Sequence, residues 1–290
     1  MKKISLFITV AILLCLVGCA APQDAPSVVA TTKPVYDFTS LLCQGTDIQV
    51  GLLIAENVSC LHDYSLRVNQ VRMAEAAEVI VISGAGLEAF MEDLLIGCDH
   101  LIDSSEDIPL LGCDEAHELD HDHNHEADAH IWLSPLNAKK MTQNICAGLC
   151  LAYPEHTATF QKNLARLEEE LDALQTYGEE ALSSLSCRKL VTFHDGFGYL
   201  AHAFNLSIVA SMEEESGSEA SAKELIELIN LIENHQIPAI FAETNGSLSA
   251  PGIISAEIGV PVHTLDMAMG ESSYFESLRY NIETLKEALG

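Results

Sequence analysis

The 290-residue chain has few basic residues: 14 Lys and Arg stand against 43 Asp and Glu, for a formal net charge of −29. So acidic a chain repels nucleic acid and anionic lipid, and its field favours cationic ligands. A solubilising surface accounts for most of those carboxylates equally well. No apolar run is long enough to span a bilayer, because the longest, residues 4–17, falls short of the ~20 residues such a helix needs. No G-x-S-x-G, Walker loop or Cys-His nucleophile signature is present, which removes the common routes to acyl and phosphoryl transfer. The cysteines also lack any C-x-x-C pair. Beyond Cys15 and Cys19 they are Cys43, Cys60, Cys98, Cys113, Cys146, Cys150 and Cys187, an odd set read mainly as small buried apolar side chains in reducing surroundings.

Lys2 and Lys3 followed by the apolar run have the pattern of a secretory signal over residues 1–18. The run closes on Leu16-Val17-Gly18-Cys19, which resembles the lipobox of bacterial lipoproteins, where cleavage leaves a lipid on the cysteine. An ordinary signal that happens to contain Cys19 is the alternative. Residues 19–27, with Pro22 and Pro26, have the composition of a linker.

From residue 28 short β-rich runs alternate with helical patterns, which predicts parallel or mixed sheets covered by helices. Strands are expected at 28–31, 48–53, 79–83 and 100–102, and again at 190–193, 207–211, 239–242 and 261–264. Helices are expected near 35–43, 69–78, 87–95, 197–204, 221–234, 251–258 and 274–288. Between the two series Phe160, Leu164, Leu167, Leu171 and Leu174 recur in steps of three and four. That stripe predicts one long, stiff helix over 154–185. The fold expectation is therefore α/β: two α/β lobes, 28–153 and 186–290, joined by a single long rigid helix.

Two motifs resemble enzyme signatures. Gly84-Ala85-Gly86-Leu87-Glu88-Ala89 fits GxGxxA after a strand, but on the third strand rather than the first, and a tight turn needs the same glycines. His125-Glu126-Ala127-Asp128-Ala129-His130 is HExxxH, and five residues at 100° each would set the two imidazoles about 140° apart on a helix. Dense Asp, His and Asn content also marks this stretch as loop. A zinc-dependent hydrolase remains the enzyme-class alternative.

Four His or Asp positions follow predicted strands or lead into a helix, where α/β lobes present ligands. His62 lies in Cys60-Leu61-His62-Asp63-Tyr64, His130 in Asp128-Ala129-His130-Ile131-Trp132-Leu133-Ser134-Pro135, His194 in Val191-Thr192-Phe193-His194-Asp195-Gly196-Phe197-Gly198-Tyr199, and Asp266 after the last strand. Two come from each lobe. With the lipobox, the Ser83-Gly84-Ala85-Gly86-Leu87-Glu88 turn and Ile240-Phe241-Ala242-Glu243-Thr244-Asn245, the set resembles the metal-binding lipoproteins of bacterial ABC importers, the solute-binding proteins for zinc and manganese. The resemblance covers nearly the whole chain from residue 28 onward. The chain departs from it where the usual prolines before the first two histidines are Leu61 and Ala129.

The resemblance implies a metal in the interlobe cleft, held by His62, His130, His194 and Asp266. It also implies a non-enzymatic role: capture of Zn²⁺ outside the cytoplasmic membrane and delivery to the transmembrane subunit of an ABC permease, by a monomer tethered through lipid on Cys19. Family members carry Glu in place of the third histidine when manganese is the cargo, so His194 points to zinc. Three imidazoles and a carboxylate independently suit Zn²⁺, whereas an oxygen-richer set suits Mn²⁺. Manganese or a broader divalent cargo is the alternative within this class, and a surface adhesin is a third reading the same fold would allow. Glu243 and Asp195 are candidates to orient the ligating imidazoles, with cap or turn roles as the alternative. In the acidic loop 115–128, His117, His121, His123 and His125 alternate with polar residues and are expected to collect additional zinc or simply to be solvated.

Overall fold

Val28-Val29-Ala30 and Val79-Ile80-Val81-Ile82 have no polar face, and every one of these residues is buried, as expected for parallel strands covered on both sides. The computed structural model describes residues 26–55, 61, 64–112, 127–212 and 220–290. In the first lobe β1 (Val28–Ala30), β2 (Val50–Leu52), β3 (Val79–Ile82) and β4 (Leu101–Asp103) form an all-parallel sheet of order β2-β1-β3-β4. In the second, β5 (Lys189–Thr192), β6 (Ser207–Ser211), β7 (Ile240–Glu243) and β8 (Val262–Leu265) repeat it as β6-β5-β7-β8. In both sheets the chain reverses its direction of travel beside the first strand, so the crevice at the carboxyl ends of β1 and β3, and of β5 and β7, is where such sheets bind ligands.

The first sheet is covered by α1 (Lys33–Leu42) and α2 (Val68–Ala76), with a short α3 (Glu92–Leu95) between β3 and β4. Then α4 (Pro135–Ala152) leads into the connecting helix. Ser134 caps α4, its Oγ accepting from Asn137 N at 3.4 Å, and Pro135 fits the first turn, where its missing N–H costs nothing. The connecting helix α5 spans Thr157–Ala181, shorter at both ends than the stripe predicts. Pro154 opens a separate 3₁₀ turn, and the C-terminal carbonyls of Leu182 and Ser183 are taken by the Arg188 guanidinium instead of by further helix. Phe160, Leu167, Leu171 and Leu174 are buried as predicted and Leu164 is half-buried.

This helix is stiff because both lobes grip it. Asn163 donates to Leu42 O and Gln44 O in the first lobe, while Gln175 donates to Ala203 O in the second. The second lobe adds α6 (Gly198–Ala203), α7 (Ala222–His235), α8 (Ser249–Ile258) and α9 (Tyr274–Leu289). A direct interlobe seam adds to this grip. Trp132 Nε1 donates to Met267 O at 2.8 Å, Tyr274 donates its hydroxyl to Trp132 O at 2.9 Å, and the Tyr274 ring packs edge-on against Phe38. Trp132 and Tyr274 are among the largest fully buried side chains, and both belong to the apolar cluster that runs continuously through the two lobes.

The helix expected over 87–95 is instead a turn, a 3₁₀ segment (Ala89–Met91) and α3. Glu88 is the cause. Its buried carboxylate turns back to accept from Ser83 N at 2.7 Å, Gly84 N at 3.0 Å and the Thr31 hydroxyl at 2.6 Å. The backbone N–H groups that a dinucleotide phosphate would need are therefore already engaged. Gly84 has φ +80°, and a Cβ there would run into Asp103 Oδ1 and Ser105 Oγ, so its glycine serves the turn.

Candidate metal centre

His194 stands two residues past β5, and Glu243 ends the adjacent parallel strand β7, so both sit at the reversal point of the second sheet. Both are buried, and Glu243 Oε2 lies 3.9 Å from His194 Nδ1. Gly196 leaves room for the ring: a Cβ there would stand 2.7 Å from His194 Cδ2 and 2.7 Å from Met267 Cε. Asp195, next in sequence, is exposed.

His130 arrives from the first lobe on the segment that leads through a 3₁₀ turn into α4. Asp128 Oδ1 accepts from both His130 N and His130 Nδ1, each at 2.9 Å. With its proton held on Nδ1, the ring presents the Nε2 lone pair, the form a metal requires. The His130 and His194 rings meet edge to face with centroids 5.2 Å apart. Two residues far apart in sequence and carried by different lobes are thus brought to one point.

Asp266 follows β8, and its Oδ1 accepts from Ala268 N and its Oδ2 from the Ser277 hydroxyl, both at 2.8 Å. Asn281 brackets its main chain, donating to Asp266 O and accepting from Asp266 N, both at 2.7 Å. Met267, its neighbour, reaches the point beside Gly196 that His194 also borders.

Among the described residues no three or more His, Cys, Asp or Glu side chains come together closely enough to hold a metal ion. The pair that does meet is His130 and His194; Asp266 is not gathered with them. His62 lies outside the described residues, as do Cys19, His117, His121, His123 and His125. Other histidines have local roles: His156 Nε2 is 3.0 Å from Asp47 Oδ1, and His235 Nδ1 is 2.7 Å from Lys189 Nζ. The described cysteines, Cys43, Cys98, Cys146, Cys150 and Cys187, are free thiols, and burial pushes those of Cys43 and Cys146 up to about 12, which keeps them protonated.

Sequence reasoning assigned no role to Glu88 or Tyr199. Glu88 appears in the sequence as one more acid at a helix start, and only its glycine-rich neighbours hinted that backbone N–H groups needed a partner. Tyr199 accepts from Leu111 N at 2.9 Å and donates to Asp128 O at 3.1 Å, contacts that leave no pattern in the sequence.

Residues 28–288 match the family described as "ZnuA: Zinc-uptake complex component A periplasmic". The chain is similar to the zinc-binding lipoprotein AdcA of Streptococcus pneumoniae serotype 4 (strain ATCC BAA-334 / TIGR4), 33% identical over 308 residues. That alignment covers 99% of this chain but 61% of the relative, so the chain spans about six tenths of the relative's length. Among solved structures, one titled "Crystal structure of ZnuA" superposes with a TM-score of 0.79 at 27% identity, covering 92% of this chain and 100% of the other. The Zn(II)-bound ZnuA-like domain of Streptococcus pneumoniae AdcA gives 0.77 at 29% identity, covering 92% and 99%. The paired parallel sheets and long helix of this chain are that fold.

Proposed function

The chain belongs to the zinc-uptake complex component A family, and we propose on that premise that it captures Zn²⁺ outside the cytoplasmic membrane and hands it to the transmembrane subunit of an ABC permease. The observation that carries this reading is the meeting of His130 and His194 across the lobes, with Asp128 holding His130 so that Nε2 is presented. Two neutral imidazoles are borderline-soft donors that suit zinc better than they suit manganese. We assign His62 and Asp266 as the remaining ligands, which would give a closed four-coordinate set with no position for an activated water. The role is one of binding, not catalysis.

Glu243 is assigned to the His194 imidazole as the carboxylate behind a metal-bound ring, and Asp195 is kept as a further candidate. The division into lobes at 28–153 and 186–290, linked by 154–185, is part of this proposal, and the presence of one four-stranded parallel sheet on each side of the long helix supports it. Lipid on Cys19, with residues 19–27 as tether, would keep the monomer beside its permease. His117, His121, His123 and His125 are assigned to weaker zinc collection.

Elemental analysis of the purified protein, followed by calorimetric competition between Zn²⁺ and Mn²⁺, tests the reading. One tightly held zinc per chain that manganese does not displace is the expected result. Preferential manganese retention would transfer the cargo to the alternative metal, and no tight divalent metal at all would overturn the function.

A further inference from the structure

The described residues stop at Gly112 and resume at Ala127, and Leu111 and Asp128 stand beside these two ends. These two ends are tied to each other, Asp128 N donating to Leu111 O at 3.3 Å. They are also tied to the second lobe through one atom, the Tyr199 hydroxyl, which accepts from Leu111 N at 2.9 Å and donates to Asp128 O at 3.1 Å. The result is a closed ring of three hydrogen bonds in which donor and acceptor roles are all used. Tyr199 is 2% exposed and lies five residues beyond His194 on α6. Burial pushes its phenol above the ordinary value, so the hydroxyl keeps its proton at neutral pH. Gly198 admits the approach, since a Cβ there would stand 2.8 Å from Asp128 Oδ2 and 3.4 Å from Leu111 Cδ1.

The other end of Asp128 fixes the metal-facing ring. Its Oδ1 takes His130 N and His130 Nδ1, so a continuous path runs from α6 through Tyr199 and Asp128 to His130, whose ring faces that of His194, four residues before the start of that helix. Two ligands from different lobes bind one ion well only if their separation is set beforehand; otherwise binding must also order them. The interlobe seam at Trp132 sets the backbone distance, whereas the Tyr199 hydroxyl acts on the one residue that orients the imidazole.

We infer that Tyr199 is a positioning residue for metal capture: its hydroxyl locks Asp128 against the second lobe so that His130 is held with Nδ1 protonated and Nε2 directed toward His194. The inference rests on the proposed zinc-binding function. It goes beyond it by assigning the control of His130 to a side chain of the opposite lobe.

The test uses Tyr199→Phe, Asp128→Ala and their combination in the full chain. Three quantities are read: zinc affinity by chelator competition, melting of the metal-free protein, and the His130 tautomer by ¹⁵N imidazole NMR. Removing the hydroxyl while keeping the ring should weaken zinc by roughly threefold to tenfold. Asp128→Ala should weaken it by about 10- to 100-fold, the range for partners behind a ligating histidine. Because Tyr199 acts through Asp128, the double variant should bind no more than about twofold more weakly than Asp128→Ala. In metal-free Tyr199→Phe the Nδ1-protonated population of His130 should fall. Unchanged affinity and tautomer in Tyr199→Phe, even with a lowered melting point, would overturn the inference, as would losses that multiply in the double variant. If the unaltered chain binds no zinc, or if His130→Ala binds it as tightly, the underlying function fails instead.

Discussion

The His130 and His194 rings stand 5.2 Å apart with their planes at 84°, although one enters from the segment before α4 and the other caps β5 in the opposite lobe. A bridge between lobes made by a metal would be lost with either ring. His194→Ala should therefore weaken zinc by about 100-fold or more, beyond the 10- to 100-fold typical of partners that only orient a ligand. Titration calorimetry reads this directly, and unchanged affinity would remove His194 from the site.

Much of this arrangement is legible in the sequence because parallel strands buried on both faces need unbroken apolar runs. Val79-Ile80-Val81-Ile82 can be little else, and the Phe160 to Leu174 stripe specifies one face of a long helix. His194 is legible for a related reason, since a histidine just past such a run falls at the carboxyl edge of the sheet. The break-up of the helix expected over 87–95 is not legible, because Glu88 resembles any acidic residue of a first helical turn until its carboxylate is seen turned inward onto Ser83 and Gly84. Tyr199 is hidden for a different reason. Its partners are main-chain atoms, one of them 88 residues away, and a backbone N–H carries no residue identity to recognise.

Metal capture by imidazoles should depend on pH. Protons compete for the same lone pairs, so zinc affinity should fall steadily as the solution is acidified from about pH 7.5 to about 5.5. Chelator competition at a series of pH values measures this, and a flat profile between pH 7.5 and 5.5 would indicate a carboxylate-dominated site.

Gly84 discriminates between a turn and a nucleotide fingerprint. A Cβ at φ +80° is strained, and here it would also collide with Asp103 and Ser105, so Gly84→Ala should destabilise the fold by about 2 kcal/mol or more. Urea denaturation gives the value. NAD or ATP should leave the melting temperature of the unaltered chain unmoved, because the N–H groups of Ser83 and Gly84 are occupied by Glu88; a rise with nucleotide concentration would reverse that conclusion.

Glu88 gives the stability a pH signature. Burial pushes its carboxyl from an ordinary 4.5 up to about 7, against the opposing effect of the Thr31, Ser83 and Gly84 hydrogen bonds. The folded protein thus holds this proton more tightly than the unfolded chain. Its stabilising effect is complete below pH 4.5 and is lost as pH rises through 7. Between pH 5 and pH 8 the unaltered protein should lose on the order of 2 kcal/mol through this group. Glu88→Gln cannot ionise, so the difference in unfolding free energy between variant and parent should move in the variant's favour across that range. A pH-independent difference would mean that Glu88 is ionised throughout.

The acidic histidine segment should be separable from the tight site. Its two ends are closed on each other by Asp128 N to Leu111 O and held by Tyr199, so the base survives without the residues in between. His130, the ligand proposed beside that base, has Asp128 as its hydrogen-bond partner, at 2.9 Å. Removing residues 115–126 should therefore leave one tight zinc equivalent at nearly unchanged affinity while the weaker equivalents disappear from the calorimetric isotherm. If the tight equivalent goes with the segment, then one of its histidines belongs to the centre, and the assignment of His62 as the remaining first-lobe ligand must be given up.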